Sequence, residues 1–441
     1  RDGLRKDLKA LQVNVIAPKK KRREPCDAEV AAAEALRDEL RQAEAEQLGC
    51  ERLRERQLRR LGNAVDASVP VSQDEESDNV VVRVWPSAGD IPLPCSIKDL
   101  AYPLPEQRPL THDDLLWRIG GYEPRRGSKV AGSRGYFLRD SGVLLNQALI
   151  NYAISFLRER GYSPIQPPYF MKREVMAGVA QLADFDEQLY KVEGRGDDPE
   201  DPGDKYLIAT SEQPLCGFHS KEVIDGCELP LRYAGVSTCF RKELSSTNRD
   251  NRGIFRVHQF EKVEQFCITA GDADESCRMH REMLQCAEDF HRSLGLAYRV
   301  VNVVSGELND AAVMKYDLEG WFPAQGKYRE LVSCSNCTDF QSRSLDIRCQ
   351  SPEGLSHVHM LNSTLTATGR GICCILETHQ AADGVRVPDA LVPYMGGVAF
   401  MPFVRAPLDS GAEGAAPAPS QGLRADPARP HGAGGGPAGP A

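Results

Sequence analysis

The side chains with the most potential for chemistry are concentrated in three segments, Thr210–Glu212, Cys239–Glu243 and Arg256–Glu264. Because alternate residues of a strand share a face, Arg241 and Glu243 are predicted to point the same way, as are Phe260, Lys262 and Glu264. Arginine makes bidentate, permanently charged contacts with phosphate, and an aromatic ring offers a stacking surface for a base. The set suits a ligand that carries a phosphate, an amine and a flat base. The alternative interpretation is cross-strand ion pairs at the surface.

A sheet is needed to bring these segments together. Runs with strand character at 206–209, 255–268 and 298–304 alternate with helical stretches at 143–160 and 273–294. The period-two alternation and the short turns favour an α+β fold, in which an antiparallel β-sheet is flanked by helices.

The N-terminal residues have a different, helical pattern. Apolar residues from Leu4 to Val15 are spaced 4, 3 and 4 apart, and residues 28–61 are rich in Ala, Glu, Arg and Leu. A basic turn, Lys19-Lys20-Lys21-Arg22-Arg23, is predicted between the two helices. The second helix is much longer than the first, so we expect an antiparallel helical hairpin whose leading part is missing. The alternative is a single solvated, charged helix.

Three further segments have the composition of connections. Residues 69–110 are rich in Pro and acids and are predicted to be a linker, and residues 194–204 to be an exposed hairpin loop. Residues 409–441 consist mostly of Gly, Ala and Pro, cannot bury enough surface to fold, and are predicted to be disordered.

Composition narrows the class of protein. The 441 residues carry a net charge of −9, and no run approaches the eighteen apolar residues of a membrane span, so no membrane partner is expected. Scattered cysteines, 14 in all, favour a reducing compartment over a disulfide framework. The acidic balance does not exclude nucleic acid, because local basic patches decide that question.

Several long motifs, in the order of the family, resemble the class II aminoacyl-tRNA synthetases. Their sequences are similar to those of seryl-tRNA synthetases of the eukaryotic cytosolic type. FRKE, a polar loop and RVHQFEKVE resemble the second class II motif, and HMLNSTLTATGRGICCILETHQ resembles the third. The resemblance covers residues 60–406 and also includes GSRGYFL, LIATSEQPL, KYDLEGWFP and YRELVSCSNCTDFQSR. It implies three regions: a tRNA-binding helical arm over 1–68, a class II catalytic domain over 69–408, and the tail over 409–441.

The resemblance implies a role for each matching residue. Arg241 would hold the ATP α-phosphate and the serine carboxylate, Arg370 would clamp the γ-phosphate, and Phe260 would stack under adenine. With Glu243, which would contact the adenylate, the two arginines are the expected catalytic residues, and Glu330 and Ser333 would hold Mg²⁺. The expected ATP-binding set is Arg241, Lys242, Glu243, Val257, His258, Gln259, Phe260, Glu330, Leu331, Val332, Ser333 and Arg370.

The amino acid and the tRNA would bind elsewhere on the same chain. The expected serine-binding residues are Thr210, Glu212, Arg241, Glu264, Asn362 and Thr364. Lys19, Lys20, Lys21, Arg22 and Arg23 would contact the phosphates of tRNA(Ser), and of tRNA(Sec). The helix and extended segment over 142–168 resemble the first class II motif, which builds a homodimer. A cytoplasmic location follows from the same resemblance.

Physical reasoning agrees with polar lining residues for a serine pocket. One methylene is worth only ~1–3 kcal/mol, so shape discriminates poorly, whereas a pocket that hydrogen-bonds the hydroxyl rejects alanine and glycine strongly. Activation needs no protein nucleophile, because the serine carboxylate attacks the α-phosphorus itself. The protein must align the reactants and neutralise phosphate charge.

Some features depart from the family or compete with this interpretation. Gly369 and Gly371 flank Arg370 and are expected to loosen the start of its helix, and Ser344 stands where a second arginine is common. Cys334 and Cys337 have CxxC spacing but are expected to be core residues rather than metal ligands. A catalytically silent paralogue that serves as an RNA-binding or structural module is the second hypothesis. An enzyme that activates serine for another acceptor is the third.

Overall fold

The computed structural model describes residues 1–58, 61–86, 93–99, 109–180, 188–194, 203–243, 253–352 and 354–407. The chain forms two compact units, Arg1–Gly62 and Asn63–Ala441. The division falls a few residues before the expected position at 68, because the Asn63 backbone N–H donates to the Asp310 carbonyl at 2.7 Å within the second unit. The predicted tail and most of the loop over 194–204 lie outside the described residues.

The first unit is a helical hairpin. It contains α1 (Asp2–Leu11), a π-helical segment (Gln12–Ile16), α2 (Ala17–Arg22) and α3 (Asp27–Leu58). The first three run as one helix, and the π-helical segment lies just before Pro18, which lacks the N–H that an α-helix needs at that position.

Contacts along the hairpin confirm that its helices are antiparallel. Arg5 Nη2 lies 2.5 Å from Glu44 Oε1, Ile16 and Ala33 are buried, and Lys19 pairs with Glu29. The partners come closer together in sequence toward the turn, which is the pattern of an antiparallel pair.

The prediction of a basic turn is wrong for most of its length. Lys19 to Arg22 form the last turn of α2, and only Arg23, with φ 57°, leaves the helix in the left-handed conformation. Cations in the last helical turn interact favourably with the carboxyl end of the helix dipole, which explains why this run remains helical.

The second unit is built from short helices and many strands. The helices are α4 (Glu75–Asp78), α5 (His112–Arg118), α6 (Pro124–Ala131), α7 (Asp140–Arg158), α8 (Arg173–Val179), α9 (Glu212–Phe218), α10 (Ala273–Ser293), α11 (Phe340–Leu345) and α12 (Thr368–Thr378). The strands are β1 (Val80–Trp85), β2 (Cys95–Ser96), β3 (Tyr122–Glu123), β4 (Phe137–Leu138), β5 (Ser163–Ile165), β6 (Phe170–Lys172), β7 (Lys191–Val192), β8 (Lys205–Leu207), β9 (Val223–Asp225), β10 (Leu231–Phe240), β11 (Gln259–Thr269), β12 (Tyr298–Asn302), β13 (Met314–Phe322), β14 (Lys327–Asn336), β15 (Arg348–Ser351), β16 (Gly354–His357), β17 (His359–Ala367), β18 (Gln380–Ala381), β19 (Gly384–Arg386) and β20 (Phe400–Pro402).

A nine-stranded sheet organises this unit, in the order β2-β1-β12-β13-β14-β17-β11-β10-β5. Every pairing within it is antiparallel except that of β5 with β10. The α+β prediction is confirmed. Helix α10 buries Met279, Met283 and Phe290, spaced for a single apolar stripe, in the core beneath the sheet.

The linker prediction for 69–110 is wrong where the structure describes it. Val80–Trp85 forms β1, which pairs with β12, and Val81 is fully buried. The Val-Val-Val-Arg-Val-Trp sequence has strong strand propensity, which outweighs the polar composition of its surroundings.

Candidate active site

Strands β10 and β11 bring the second motif together at one end of the sheet. Their register runs from Leu231 opposite Ile268 to Phe240 opposite Gln259. Just beyond it, the Arg241 N–H donates to the His258 carbonyl at 2.9 Å, and His258 Nδ1 lies 3.0 Å from the Arg241 carbonyl. These contacts fix the backbone from which the Arg241 side chain extends.

The prediction that Arg241 and Glu243 share a strand face is wrong. Strand β10 ends at Phe240, and Glu243 has φ 48°, a left-handed conformation. Its position is fixed by two arginines instead: Arg256 Nε donates to Glu243 Oε2 at 2.5 Å, and Arg134 Nη1 donates to the Glu243 carbonyl at 2.9 Å.

A cavity lies where these segments meet, and the space within it, counted together with the adjoining open solvent, is about 540 Å³. It is lined by Arg241, Glu243, Ile254, Phe255, Arg256, Val257, Phe260, Lys262, Glu330, Leu331, Thr364, Ala367, Gly369 and Arg370. Seven of the expected ATP-binding residues are in this set: Arg241, Glu243, Val257, Phe260, Glu330, Leu331 and Arg370.

The other expected ATP-binding residues support the cavity or lie behind it. The Lys242 N–H donates to the Gln188 carbonyl, His258 contacts Arg241 as described, and the Gln259 carbonyl accepts from the Tyr136 hydroxyl. Val332 is fully buried in the core, and Ser333 lies opposite Asp317 in the β13–β14 pair.

Arginine side chains at the cavity lie over aromatic rings. The Arg241 guanidinium lies 5.4 Å from the centre of the Phe260 ring, within cation–π range. Phe255 serves two others, Arg329 at 5.0 Å and Arg370 at 5.1 Å. Phe255 was missed as a site residue, although it lies one residue before the second half of the motif.

Arg370 also pairs with an acid across the cavity. Its Nη1 lies 3.1 Å from both the Glu330 carboxylate and the Glu330 carbonyl. Burial raises the pKa of Glu330, but the charges of Arg370 and Lys315 and the hydrogen bond from Arg370 outweigh it, so the pKa is lowered.

The two glycines around Arg370 pack closely against neighbouring elements, contrary to the expected loosening of its helix. A Cβ at Gly369 would lie 2.7 Å from the Ile254 carbonyl oxygen, and one at Gly371 would lie 2.9 Å from Thr366 Oγ1. The start of α12 therefore approaches its surroundings at a distance that only glycine permits, and this packing places Arg370.

Among the expected serine-binding residues, Glu264 is hydrogen-bonded to both Thr210 and Glu212. Its Oε2 accepts hydrogen bonds from the Thr210 hydroxyl at 2.6 Å, from the Ser211 hydroxyl at 2.7 Å and from the Glu212 N–H at 3.0 Å. Its Oε1 accepts from Lys262 Nζ at 2.7 Å. Burial raises the pKa of Glu264, but Lys262 and the hydroxyl donors more than compensate, so the pKa is lowered and the group is ionised at neutral pH.

Lys262 was predicted to share a face with Phe260 and Glu264 but was not assigned a role. It is buried, lines the cavity and hydrogen-bonds Glu264. The period-two alternation of β11, which places Lys262 between Phe260 and Glu264 on one face, could have identified it as a site residue.

Glu212 has a different electrostatic environment. Burial and the charge of Glu264 raise its pKa to about 7, against the opposing effects of a hydrogen bond from Gln341 and the charges of Lys262 and Arg241. Gln341 Nε2 donates to Glu212 Oε1 at 2.8 Å.

The remaining expected serine-binding residues lie on β17. Thr364 is directly opposite Glu264 in the register and lines the cavity. Asn362 is two residues earlier and is buried, and its Nδ2 lies 3.7 Å from Cys337 Sγ. The basic run, Lys19 to Arg23, lies in the first unit.

Two acidic residues of the neighbouring strand β13 lie close to Glu330. Glu319 lies opposite Glu330, and Asp317 lies opposite Ser333. Burial and the charge of Glu330 raise the pKa of Asp317 to about 7, against the effect of Lys315. Asp317 Oδ1 is buried without a hydrogen-bond partner among the described residues.

The cysteines of the CxxC sequence are core residues. Cys334 and Cys337 are fully buried, and within the described part of the chain no three His, Cys, Asp or Glu side chains are grouped as metal ligands.

Comparison with known proteins identifies the family. The model of the tRNA synthetase class II core domain (G, H, P, S and T) matches residues 190–379. The cytoplasmic serine–tRNA ligase of Arabidopsis thaliana is 47% identical over 417 residues, which cover 94% of this chain and 88% of the relative. The chain belongs to the seryl-tRNA synthetase family.

Solved members of the seryl-tRNA synthetase family share the fold along most of the chain. A cytoplasmic enzyme from Naegleria fowleri in complex with AMP is 42% identical, with a TM-score of 0.74, and covers 92% of this chain and 90% of its own. A seryl-tRNA synthetase from Pyrococcus horikoshii complexed with ATP is 40% identical, with a TM-score of 0.79 and the same coverage. Among the described helices, none is both long and apolar enough to cross a bilayer.

Proposed function

We propose that this protein is a serine–tRNA ligase that activates L-serine with ATP and transfers it to tRNA(Ser). The proposal rests on one observation. Arg241, Phe260 and Arg370 line one cavity, and Glu264 accepts a hydrogen bond from Lys262, which lines the same cavity. In the first step a serine carboxylate oxygen bonds to the α-phosphorus and pyrophosphate leaves. In the second, a ribose hydroxyl at the tRNA 3′ end attacks the acyl carbon and AMP leaves.

The nucleotide part of the proposal assigns the cavity lining to ATP. Phe260 stacks with adenine, Arg241 stabilises the α-phosphate and the serine carboxylate as charge moves between them, and Arg370 holds the γ-phosphate. Glu243 contacts the adenylate. Because both arginines already lie against aromatic rings, little reorganisation is required when the phosphates bind.

The serine part assigns the ammonium and the hydroxyl to the polar residues around Glu264. The ionised Glu264 provides the negative charge that an ammonium needs, and Thr210, Glu212, Thr364 and Asn362 surround it. These groups would be left partly unpaired by alanine or glycine, which favours serine.

The oxygen-rich region around Glu330 suits Mg²⁺. We assign the ion to Glu330 and Ser333, and the buried, unpartnered Oδ1 of Asp317 fits a hard cation that binds through oxygen. When bound, Mg²⁺ neutralises charge on the ATP phosphates. Glu330 and Ser333 lie on β14 opposite Glu319 and Asp317, and the irregularity in the register between them allows both side chains to share a face. Arg370 pairs with Glu330.

The assembly and partners complete the proposal. Residues 1–68 form the tRNA-binding arm, with Lys19 to Arg23 on tRNA(Ser) and tRNA(Sec), and residues 69–408 form the catalytic domain. The chain is a homodimer through the first-motif helix α7. A cytoplasmic location is supported by the names of its relatives.

Serine-dependent ATP–pyrophosphate exchange tests this function, followed by charging of tRNA(Ser). We expect exchange with serine and at most trace exchange with alanine, glycine or threonine. Folded protein without serine-dependent exchange would contradict the proposal and favour the silent paralogue, which the retained cavity does not favour. Exchange without tRNA charging would favour an enzyme that activates serine for another acceptor.

A further inference from the structure

Gln341 is a buried amide that belongs to no expected binding site. It lies on the short helix α11, is 2% exposed, and donates from Nε2 to Glu212 Oε1 at 2.8 Å. Its Oε1 is also buried and has no hydrogen-bond partner among the described residues. Burying an amide oxygen without a partner costs free energy, and the hydrogen bond from Nε2 to Glu212 offsets part of that cost.

The charges around Glu212 have opposing effects on its protonation. Glu264, on β11, favours the protonated form of Glu212, whereas Lys262 on the same strand and Arg241 after β10 favour the ionised form. The thiols of Cys216, one turn along α9, and of Cys337, after β14, also lie close enough to interact with its charge. Among these groups Gln341 is the neutral one that makes a direct hydrogen bond to Glu212.

We propose that Gln341 is a positioning residue for serine recognition: its amide holds the Glu212 carboxylate in place and in its ionised form. This inference rests on the proposed function, because it takes Glu212 to be part of the serine pocket. An amide suits the task because its N–H stabilises a carboxylate, while its oxygen cannot compete for the proton at neutral pH. A hydrogen bond to a charged group is stronger than a neutral one, so the contribution of Gln341 to serine binding is measurable.

Two substitutions separate positioning from packing. Gln341→Met keeps the approximate volume and removes the donor. Gln341→Glu is nearly isosteric, and as a protonated acid it donates to Glu212, whereas its ionised form repels Glu212. Ser344→Ala on the same helix is the matched control, since the Ser344 hydroxyl makes only a 3.5 Å contact with the Phe340 carbonyl.

The measurement is serine-dependent ATP–pyrophosphate exchange with the full chain from pH 6 to 9, together with the thermal unfolding temperature of each variant. For Gln341→Met we expect KM for serine to rise about tenfold with KM for ATP unchanged, and the acidic limb of kcat/KM for serine to move to higher pH. For Gln341→Glu we expect activity relative to the parent protein to decline as pH rises, because the donated proton is lost. Ser344→Ala should match the parent protein.

The other outcomes contradict either the proposed function or the positioning role of Gln341. Parent protein without serine-dependent exchange contradicts the proposed function itself. Normal parent exchange, with KM for serine and pH profiles unchanged in both Gln341 variants, contradicts the positioning role. Equal rises in KM for serine and ATP, or a loss that is the same at every pH in Gln341→Glu, also contradicts it and indicates general packing.

Discussion

At the scale of single residues, the cavity is defined by two arginines from different parts of the chain. Arg241 follows β10 and lies over Phe260, and Arg370 lies in the first turn of α12 and over Phe255. Neither contributes to the hydrophobic core, and the backbone around each is held by contacts that do not involve the guanidinium. Each arginine can therefore be removed to test its chemistry separately from folding.

Arg241→Ala is expected to lower kcat/KM for exchange by about a hundred- to a thousandfold, because a charge that stabilises the α-phosphate is lost. The unfolding temperature should stay within a few degrees of the parent value. Arg232→Ala, which removes an exposed pair with Glu282, is the control and should leave exchange unchanged. Retained exchange in Arg241→Ala would contradict the assigned role.

Glu212→Gln is expected to stabilise the fold while weakening serine binding. The pKa of Glu212 is about 7 when folded, above the ordinary value of 4.5, so its contribution to stability is present below pH 4.5 and is lost as pH rises through 7. The neutral amide avoids this loss, and at pH 8 we expect a gain of about 1–3 kcal/mol in the free energy of unfolding, with little difference at pH 4. Denaturant unfolding at both pH values measures the effect. A variant less stable than the parent at pH 8 would contradict this account of the pocket.

The sequence predicted some of these residues for a clear physical reason. Phe260, Lys262 and Glu264 alternate along one strand, so their shared face follows from strand geometry, and the Lys262–Glu264 hydrogen bond confirms it. Phe255 and Gln341 were missed because tertiary packing brings them to the site, and Arg256, although it begins the second half of the motif, was assigned no role. Glu243 was misplaced because its left-handed backbone ends the alternation.

At the scale of elements, the start of α12 is a tight junction of the site. Gly369 faces the Ile254 carbonyl, on the segment that also carries Phe255 and Arg256. The sequence predicted the helix but not the reason for its glycines, because close approach between distant segments leaves no local pattern. Strand β1 was missed for a different reason, since the polar composition of its surroundings outweighed the local strand propensity of its valines in the prediction.

Gly369→Ala is expected to destabilise the fold by about 1–3 kcal/mol and to raise KM for ATP, because the added methyl would displace the helix that carries Arg370. Gly49→Ala in α3 is the matched control: nothing lies within 4 Å of its added Cβ, so exchange should not change. Thermal unfolding and exchange kinetics measure both effects. Unchanged stability and KM in Gly369→Ala would show that the junction is not tight.

At the scale of the whole molecule, the helical hairpin is expected to matter for tRNA and not for serine activation. Lys20 to Arg23 are exposed, whereas Lys19 pairs with Glu29 within the hairpin. The hairpin itself was predictable from its helical stripes. The helical conformation of the basic run was not, because a lysine and arginine run between two prolines suggests a turn.

Replacing Lys20, Lys21, Arg22 and Arg23 by Gln is expected to raise KM for tRNA and leave pyrophosphate exchange unchanged. Each lost phosphate contact should lower the slope of log affinity against log salt by roughly 0.9 for a duplex, which charging at several salt concentrations measures. The control replaces four exposed cations of the second unit, Lys172, Arg158, Lys221 and Arg278. Equal loss in charging and exchange would contradict the proposed arm.

The proposed homodimer has its own test. Val143 and Leu144 of α7 are 41% and 38% exposed, and Phe137, a few residues earlier in the chain, is 46% exposed. Light scattering should give twice the chain mass for the parent protein and a smaller mass for the double variant Val143→Asp, Leu144→Asp. Val223→Asp, at another exposed apolar position, should remain dimeric. A monomeric parent protein would contradict the proposal.

The most direct test of the central claim is a crystal structure of the protein with a non-hydrolysable seryl-adenylate analogue. The account predicts adenine against the Phe260 ring, the phosphate mimic at Arg241 and the serine ammonium within hydrogen-bonding distance, about 2.7–3.2 Å, of Glu264. An analogue bound outside this cavity, or bound without contacting Arg241 and Glu264, would contradict it.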